Sequence, residues 1–192
     1  MIGRTFLSFL VAAAIALHSC LAFGIPTGIY RISLSKNEVL SVQDTRVGIP
    51  AVLMHPRSTS DPFLQEWLVE SRADGTAVIR NCHSRHYLSP RNPKQQQNHD
   101  MVIQNQEEFT WRLIRREGRV LIERPSLYPG EAPSVVGLAP LFIQPPHVDV
   151  QEWKHGDRYQ EWNFEPMVES RRRTSWFGRQ WRRTSGYPLC EI

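Results

Sequence analysis
The sequence predicts an all-β domain made of three four-stranded units around one core, and three observations carry that prediction. Tryptophan recurs at Trp67, Trp111 and Trp162, and glycine followed four residues later by isoleucine recurs at Gly28/Ile32, Gly75/Ile79 and Gly118/Ile122. The tryptophan intervals are 44 and 51 residues and the glycine intervals 47 and 43, so two unrelated markers hold one phase through three cycles. Self-similarity at this period marks a chain assembled from copies of one supersecondary unit. Residues 25–168 also run in short stretches of alternating apolar and polar side chains, the period-two pattern of half-buried strands. Finally, 13 of the 14 prolines fall in or beside the loops of that span, and no window keeps helical periodicity for three turns.

In the first repeat strands are predicted over Gly28–Leu34, Val39–Val42, Ala51–Met54 and Glu66–Glu70. Tyr30, Ile32 and Leu34 point one way there while Arg31 and Ser33 point the other. The second repeat offers Ala77–Asn81, His86–Ser89, Met101–Gln104 and Phe109–Ile114. The third offers Arg119–Glu123, Ser134–Leu138, Val148–Glu152 and Gln160–Glu165. The recurrent Trp67, Trp111 and Trp162, with Ile32, Ile79 and Ile122, are expected to form matching layers of the shared core, because a buried indole removes so much apolar area from water.

The flanks of this domain have different compositions. Residues 1–24 carry Arg4, a 12-residue apolar stretch from Phe6 to Leu17 and a small-x-small site at Ala22-Phe23-Gly24. This is the pattern of a secretory signal peptide, with an apolar run too short to span a bilayer. Residues 169–192 hold six arginines against two acids, whereas residues 25–168 carry 16 basic and 17 acidic residues. The pI of about 9.2 therefore reports a tail and not a basic domain, and a nucleic-acid-binding face is not expected. In the tail, Arg172-Arg173-Thr174-Ser175 recurs as Arg182-Arg183-Thr184-Ser185 around Trp176, Phe177 and Trp181. That pattern suits an anionic surface, although the composition is also that of a solvated, disordered segment. Beyond the leader only Cys82 and Cys190 remain, too few for a disulfide framework, and their pairing stays open.

The stretch from Val150 to Phe164, with Gln160-Glu161-Trp162 inside it, resembles the Gln-x-Trp repeat of ricin-B-type lectins. Gln65-Glu66-Trp67 is a second copy, Thr110-Trp111-Arg112 a copy without its glutamine, and Gly28-Ile29-Tyr30-Arg31-Ile32 resembles the opening of fungal members. The resemblance covers residues 25–168 and implies a β-trefoil. It also implies a non-catalytic module binding carbohydrate or glycoprotein without a cofactor. The family's site takes an aspartate from the second strand of a repeat, an aromatic from the third-strand region, then a polar residue and the glutamine. A carboxylate accepts from adjacent hydroxyls while a ring packs on the apolar face of the sugar. In repeat three these positions fall on Trp153, on His155 or Asp157, and on Gln160. The aspartate position, however, is Gly137. Repeat one has Ser41 there, with His55 at the aromatic position and Gln65 as its glutamine. Repeat two has Ser89 and no aromatic. Trp153 is equally readable as a tryptophan covering the barrel rim, His155-Gly156-Asp157 as hairpin turn chemistry, and Gln65 and Gln160 as brackets holding loop backbone.

The rival is a secreted trefoil protease inhibitor acting through an exposed loop, a role the scaffold does not dictate. Its candidate loops are Asp44–Pro50, Ser89–Gln97 and Pro125–Pro133, with Arg91 as bait for a trypsin-like pocket. Cys82, His83, His86, His99 and Asp100 match no zinc spacing, and no catalytic motif is present.

Overall fold
The computed structural model describes residues 24–56, 61–167 and residue 190. The signal-peptide expectation, apart from Gly24, and the tail expectation, apart from Cys190, lie outside the described residues. Repeat one contributes β1 (Gly28–Ser35), β2 (Glu38–Val42), β3 (Ala51–Met54) and β4 (Trp67–Ser71). Repeat two contributes β5 (Thr76–Asn81), β6 (Tyr87–Pro90), β7 (Asp100–Asn105) and β8 (Thr110–Arg116). Repeat three contributes β9 (Arg119–Arg124), β10 (Ser134–Leu138), β11 (Val148–Glu152) and β12 (Asn163–Pro166).

The first and last strands of each repeat close a six-stranded barrel in the order β1, β4, β5, β8, β9, β12. The β9–β12 seam is a single antiparallel bridge between Val120 and Trp162. The middle strands form three hairpins, β2–β3, β6–β7 and β10–β11. These pair with one another around the axis, through Pro50 with Ile103, Met101 with Asp149, and Val52 with His147. This is a β-trefoil, and it explains why the markers keep phase. Each repeat's tryptophan donates its indole N–H to a carbonyl on the second strand of the same repeat: Trp67 to Leu40 at 2.9 Å, Trp111 to Leu88 at 2.8 Å and Trp162 to Val136 at 2.8 Å. All three rings, and Ile32, Ile79 and Ile122, are fully buried in one core. The recurrent glycine has two causes. Gly75 and Gly118 sit at φ +82° and +83° in the turns before β5 and β9, a conformation glycine adopts without strain. Gly28 instead makes room for the Tyr30 ring, which would lie 3.3 Å from an added Cβ.

One predicted strand begins too early. Gln160–Glu165 was expected as strand, but residues Arg158–Gln160 coil into a 3-10 turn and only Asn163–Pro166 pairs as a strand. The cause is Asp157, whose carboxylate accepts from the Tyr159 N–H at 3.0 Å and caps the turn. Repeat one does the same: Asp61 caps the turn Pro62–Gln65 by accepting from the Phe63 N–H at 2.8 Å. A second apolar cluster of Ile29, Leu68, Cys82 and Cys190 packs with Phe63 and Met167 outside the barrel. There Cys82 and Cys190 form a disulfide, with Cα atoms 5.2 Å apart, that ties residue 190 to the barrel beside the end of β5.

Candidate functional site
The position where the lectin resemblance calls for an aspartate is physically filled in repeat three. Gly137 lies in β10, and a Cβ on it would stand 2.9 Å from Gln151 Nε2 and 3.1 Å from Gln160 Cγ. The Gln151 amide donates to the Leu138 carbonyl and to Asp149 Oδ1, both at 2.8 Å. Gln160 is fully buried, and each of its polar atoms has a partner. Oε1 accepts from the Lys154 N–H at 2.8 Å, and Nε2 donates to the Glu152 carbonyl at 2.9 Å and to Gln151 Oε1 at 3.2 Å. Gln65 brackets repeat one in the same way, donating to the His55 carbonyl at 3.1 Å. In repeat two Phe109 stands in the glutamine's place and packs edge-on against Trp111 at 4.7 Å. The brackets also set the register. Glu152 and His55 are equivalent acceptors, so the counterpart of Trp153 in repeat one is Pro56 and not His55.

Trp153 itself is half-buried just beyond β11. Its backbone N–H donates to the Pro133 carbonyl at 2.9 Å, the Arg116 guanidinium lies 4.5 Å from its ring centroid, and the His155 ring meets it edge-on at 5.9 Å. The three line a cleft of about 220 Å³ together with Glu117, Gly156 and Glu161. Asp157 does not take part, because its carboxylate is engaged as the turn cap.

That cleft adjoins a longer groove. Glu161 also lines a chamber of about 480 Å³ with Arg158 and Tyr159, and Lys36 and Arg119 line both this chamber and the next, of about 700 Å³. The floor of the larger chamber is the outward face of the β1–β12 ladder, where Arg31 pairs across from Glu165 and Ser33 from Asn163. His55 closes its end, with Nδ1 donating to the Pro56 carbonyl at 2.8 Å. Three cations, Arg31, Lys36 and Arg119, face this chamber against one carboxylate, Glu165. Arg31 reaches Glu165 only at 3.8 Å, and its Nε is buried without a hydrogen-bond partner among the described residues. Arg119 donates to the Leu34 carbonyl at 3.2 Å. The groove therefore joins His55 to Trp153 and His155, while Gln65, Gln160 and Asp157 support the backbone around it. Arg31, Lys36, Arg116 and Arg119 were not expected as site residues. Their only sequence signal is the polar phase of alternation in β1 and the charges flanking the Gly118 turn.

Arg91 lies elsewhere, at the base of the β6–β7 loop. Arg124, buried at the end of β9, faces Asp100 at 3.6 Å and donates to the carbonyls of Asn92, Pro93 and Gln95, fixing that loop. Burial pushes the Arg124 pKa down and the Asp100 charge pulls it back up. On the β10–β11 loop Leu141, Phe142 and Ile143 are all exposed, a feature with no counterpart among the expected sites. Of Cys82, His83, His86, His99 and Asp100, the first is held in the disulfide, His83 by Asp61, His99 by Asp149 at 2.8 Å and Asp100 by Arg124, whereas His86 Nδ1 is buried with no hydrogen-bond partner among the described residues.

No family model matches this sequence, and no curated protein matches it. Solved structures do. A designed threefold-symmetric protein, ThreeFoil, aligns at 19% identity over 73% of this chain and 99% of its own, with a TM-score of 0.61. A Polyporus squamosus lectin, solved with a human-type influenza-binding epitope, aligns at 16% identity over 75% of this chain and 50% of its own, with a TM-score of 0.60. A Macrolepiota procera ricin B-like lectin, solved with lactose, aligns at 17% identity over 74% of this chain and 99% of its own, with a TM-score of 0.56. At these identities the likeness is one of architecture, and the chain shares the β-trefoil fold of ricin B-like lectins.

Proposed function
We propose that this chain is a secreted, non-catalytic carbohydrate-binding module whose site is the groove between repeats three and one. One observation carries the reading. A half-buried tryptophan ends a concave, polar groove lined by hydroxyl, amide, guanidinium and carboxylate groups, the mixture that a polyhydroxylated ligand needs. The likeness to two lectins solved with sugars supports the ligand class. The site differs from the one the resemblance implies, because Gln151 and Gln160 occupy the aspartate position at Gly137. Trp153 remains the stacking surface, with Arg116 and His155 as polar neighbours, and His55 belongs to the far end.

The test is a glycan array probed with the wild-type chain and with Trp153→Ala. Retention of a glycan family by the former and its loss in the latter supports the reading; no retention of any glycan by the wild type rejects it. A second reading, a protease inhibitor presenting Arg91, is favoured by the buried Arg124 that braces the 91–99 loop, since a pre-ordered loop binds with less entropy loss. Inhibition of a trypsin-like protease that disappears in Arg91→Ala would select it.

A further inference from the structure
Resting on the glycan-binding reading, we infer that the groove selects a carboxylate-bearing oligosaccharide, with the acid group held by Arg31, Lys36 and Arg119 and a sugar ring at Trp153. The cations are distributed unevenly along the groove. The chamber over the β1–β12 ladder presents three of them against Glu165, whereas Arg116 at the Trp153 end is balanced by Glu117 and Glu161. Two of the three cations have capacity to spare. Among the described residues the one carboxylate paired with Arg31, that of Glu165, stands 3.8 Å from Nη1, a loose contact. Lys36 has no carboxylate within ion-pair distance among the described residues. A guanidinium donates two parallel hydrogen bonds to a carboxylate in a planar geometry.

The remaining lining decides against a polyphosphate or a heavily sulfated chain. Glu38, Glu161 and Glu165 along the same groove repel dense negative charge, yet they accept hydrogen bonds from sugar hydroxyls. A sugar carrying one carboxylate and several hydroxyls per ring satisfies both sets of groups. Two chambers of about 700 and 480 Å³, joined at Lys36 and Arg119, exceed what one small ligand fills, so the ligand spans several rings.

The experiment titrates the full-length chain with an oligogalacturonate hexamer and with the same hexamer after its carboxyls are reduced to hydroxymethyl groups. The acid form should bind at least tenfold tighter, and Arg31→Gln/Lys36→Ala should bring it down to the level of the reduced form. Because that variant keeps the arginine tail, loss of binding reports on the groove. Equal affinity for the two hexamers overturns the inference, as does undiminished binding in the double variant. Neutral glycans retained through Trp153 with no preference for the acid form overturn this inference alone, whereas no glycan retained at all overturns both readings.

Discussion

Gln151 occupies the space that an aspartate at Gly137 would need: its amide nitrogen lies 2.9 Å from where a Cβ would stand. The β10–β11 hairpin is thus closed by its own side chains, and the glutamine is held there by Leu138 and Asp149. Gly137→Asp should not create a sugar site of the usual kind. It should overpack the hairpin and lower stability by about 1–3 kcal/mol, measured by chemical denaturation. Gly137→Asp/Gln151→Ala should recover part of that loss, and the absence of any recovery would show that the clash is not with Gln151.

Two of the repeat-three candidates, Trp153 and Gln160, separate by what they touch. Trp153→Ala removes a half-buried ring and should stay within about 1 kcal/mol of wild-type stability, as surface changes do, while abolishing glycan retention. Gln160→Ala leaves the Lys154 N–H and the Glu152 carbonyl without their partner and should cost about 1–3 kcal/mol. If Gln160→Ala left stability untouched, the bracket would have no structural role.

The core was legible because membership of the main cluster alternates along the strands, as with Tyr30, Ile32 and Leu34, Trp67 and Val69, and Ala77 and Ile79. Alternation fixed which face of each strand turns inward, and the Trp–carbonyl contacts repeat what the tryptophan spacing implied. The 3-10 turns were less legible, since Asp157 three residues ahead of Gln160, and Asp61 four ahead of Gln65, read as loop chemistry until the cap is seen. The groove was hidden for another reason. Arg31, Arg119 and Trp153 come from three distant stretches, and only closure of β12 onto β1 brings repeat three beside repeat one. The register at His55 is not legible from sequence, because no aromatic in repeat one marks it and only the Gln65 and Gln160 brackets define it.

Arg124 is the most exacting buried charge of the domain. Arg124→Met keeps the volume but leaves Asp100 without its cation, and breaking such a pair costs about 3–5 kcal/mol. The 91–99 loop should then be cut by protease faster than in wild type, because three of its carbonyls lose their donor. A loop as resistant as before would place its rigidity elsewhere.

His147 offers a pH readout at the same end of the barrel. Burial holds its imidazole below the ordinary value of about 6.5, and the Arg91 charge pushes the same way. The unfolded chain therefore takes up this proton at a higher pH than the folded one. The corresponding stability is present above about 6.5 and lost as the pH falls towards the lower folded value. An NMR titration of the His147 ring should show a depressed midpoint that moves up in Arg91→Gln. A midpoint at the ordinary value would contradict the burial of the ring, and a midpoint unchanged in Arg91→Gln would remove Arg91 from its surroundings.

The C-terminal segment is the last element where charge and fold separate. Residues 25–168 carry a net charge of −1 and residues 169–192 a net of +4, so retention on anionic surfaces is expected to reside in the tail. Such attraction is screened over a Debye length of about 8 Å at physiological ionic strength. The disulfide changes how this must be tested, because a chain ending at Ser170 loses Cys190 and leaves a buried Cys82 thiol in the Ile29–Leu68 cluster. The truncation should therefore carry Cys82→Ser. That chain should keep its fold and its glycan binding, yet lose salt-sensitive retention on heparin or anionic vesicles. If retention survives truncation, the basic surface lies on the trefoil and not in the tail, and the division of charge between residues 25–168 and 169–192 does not govern binding.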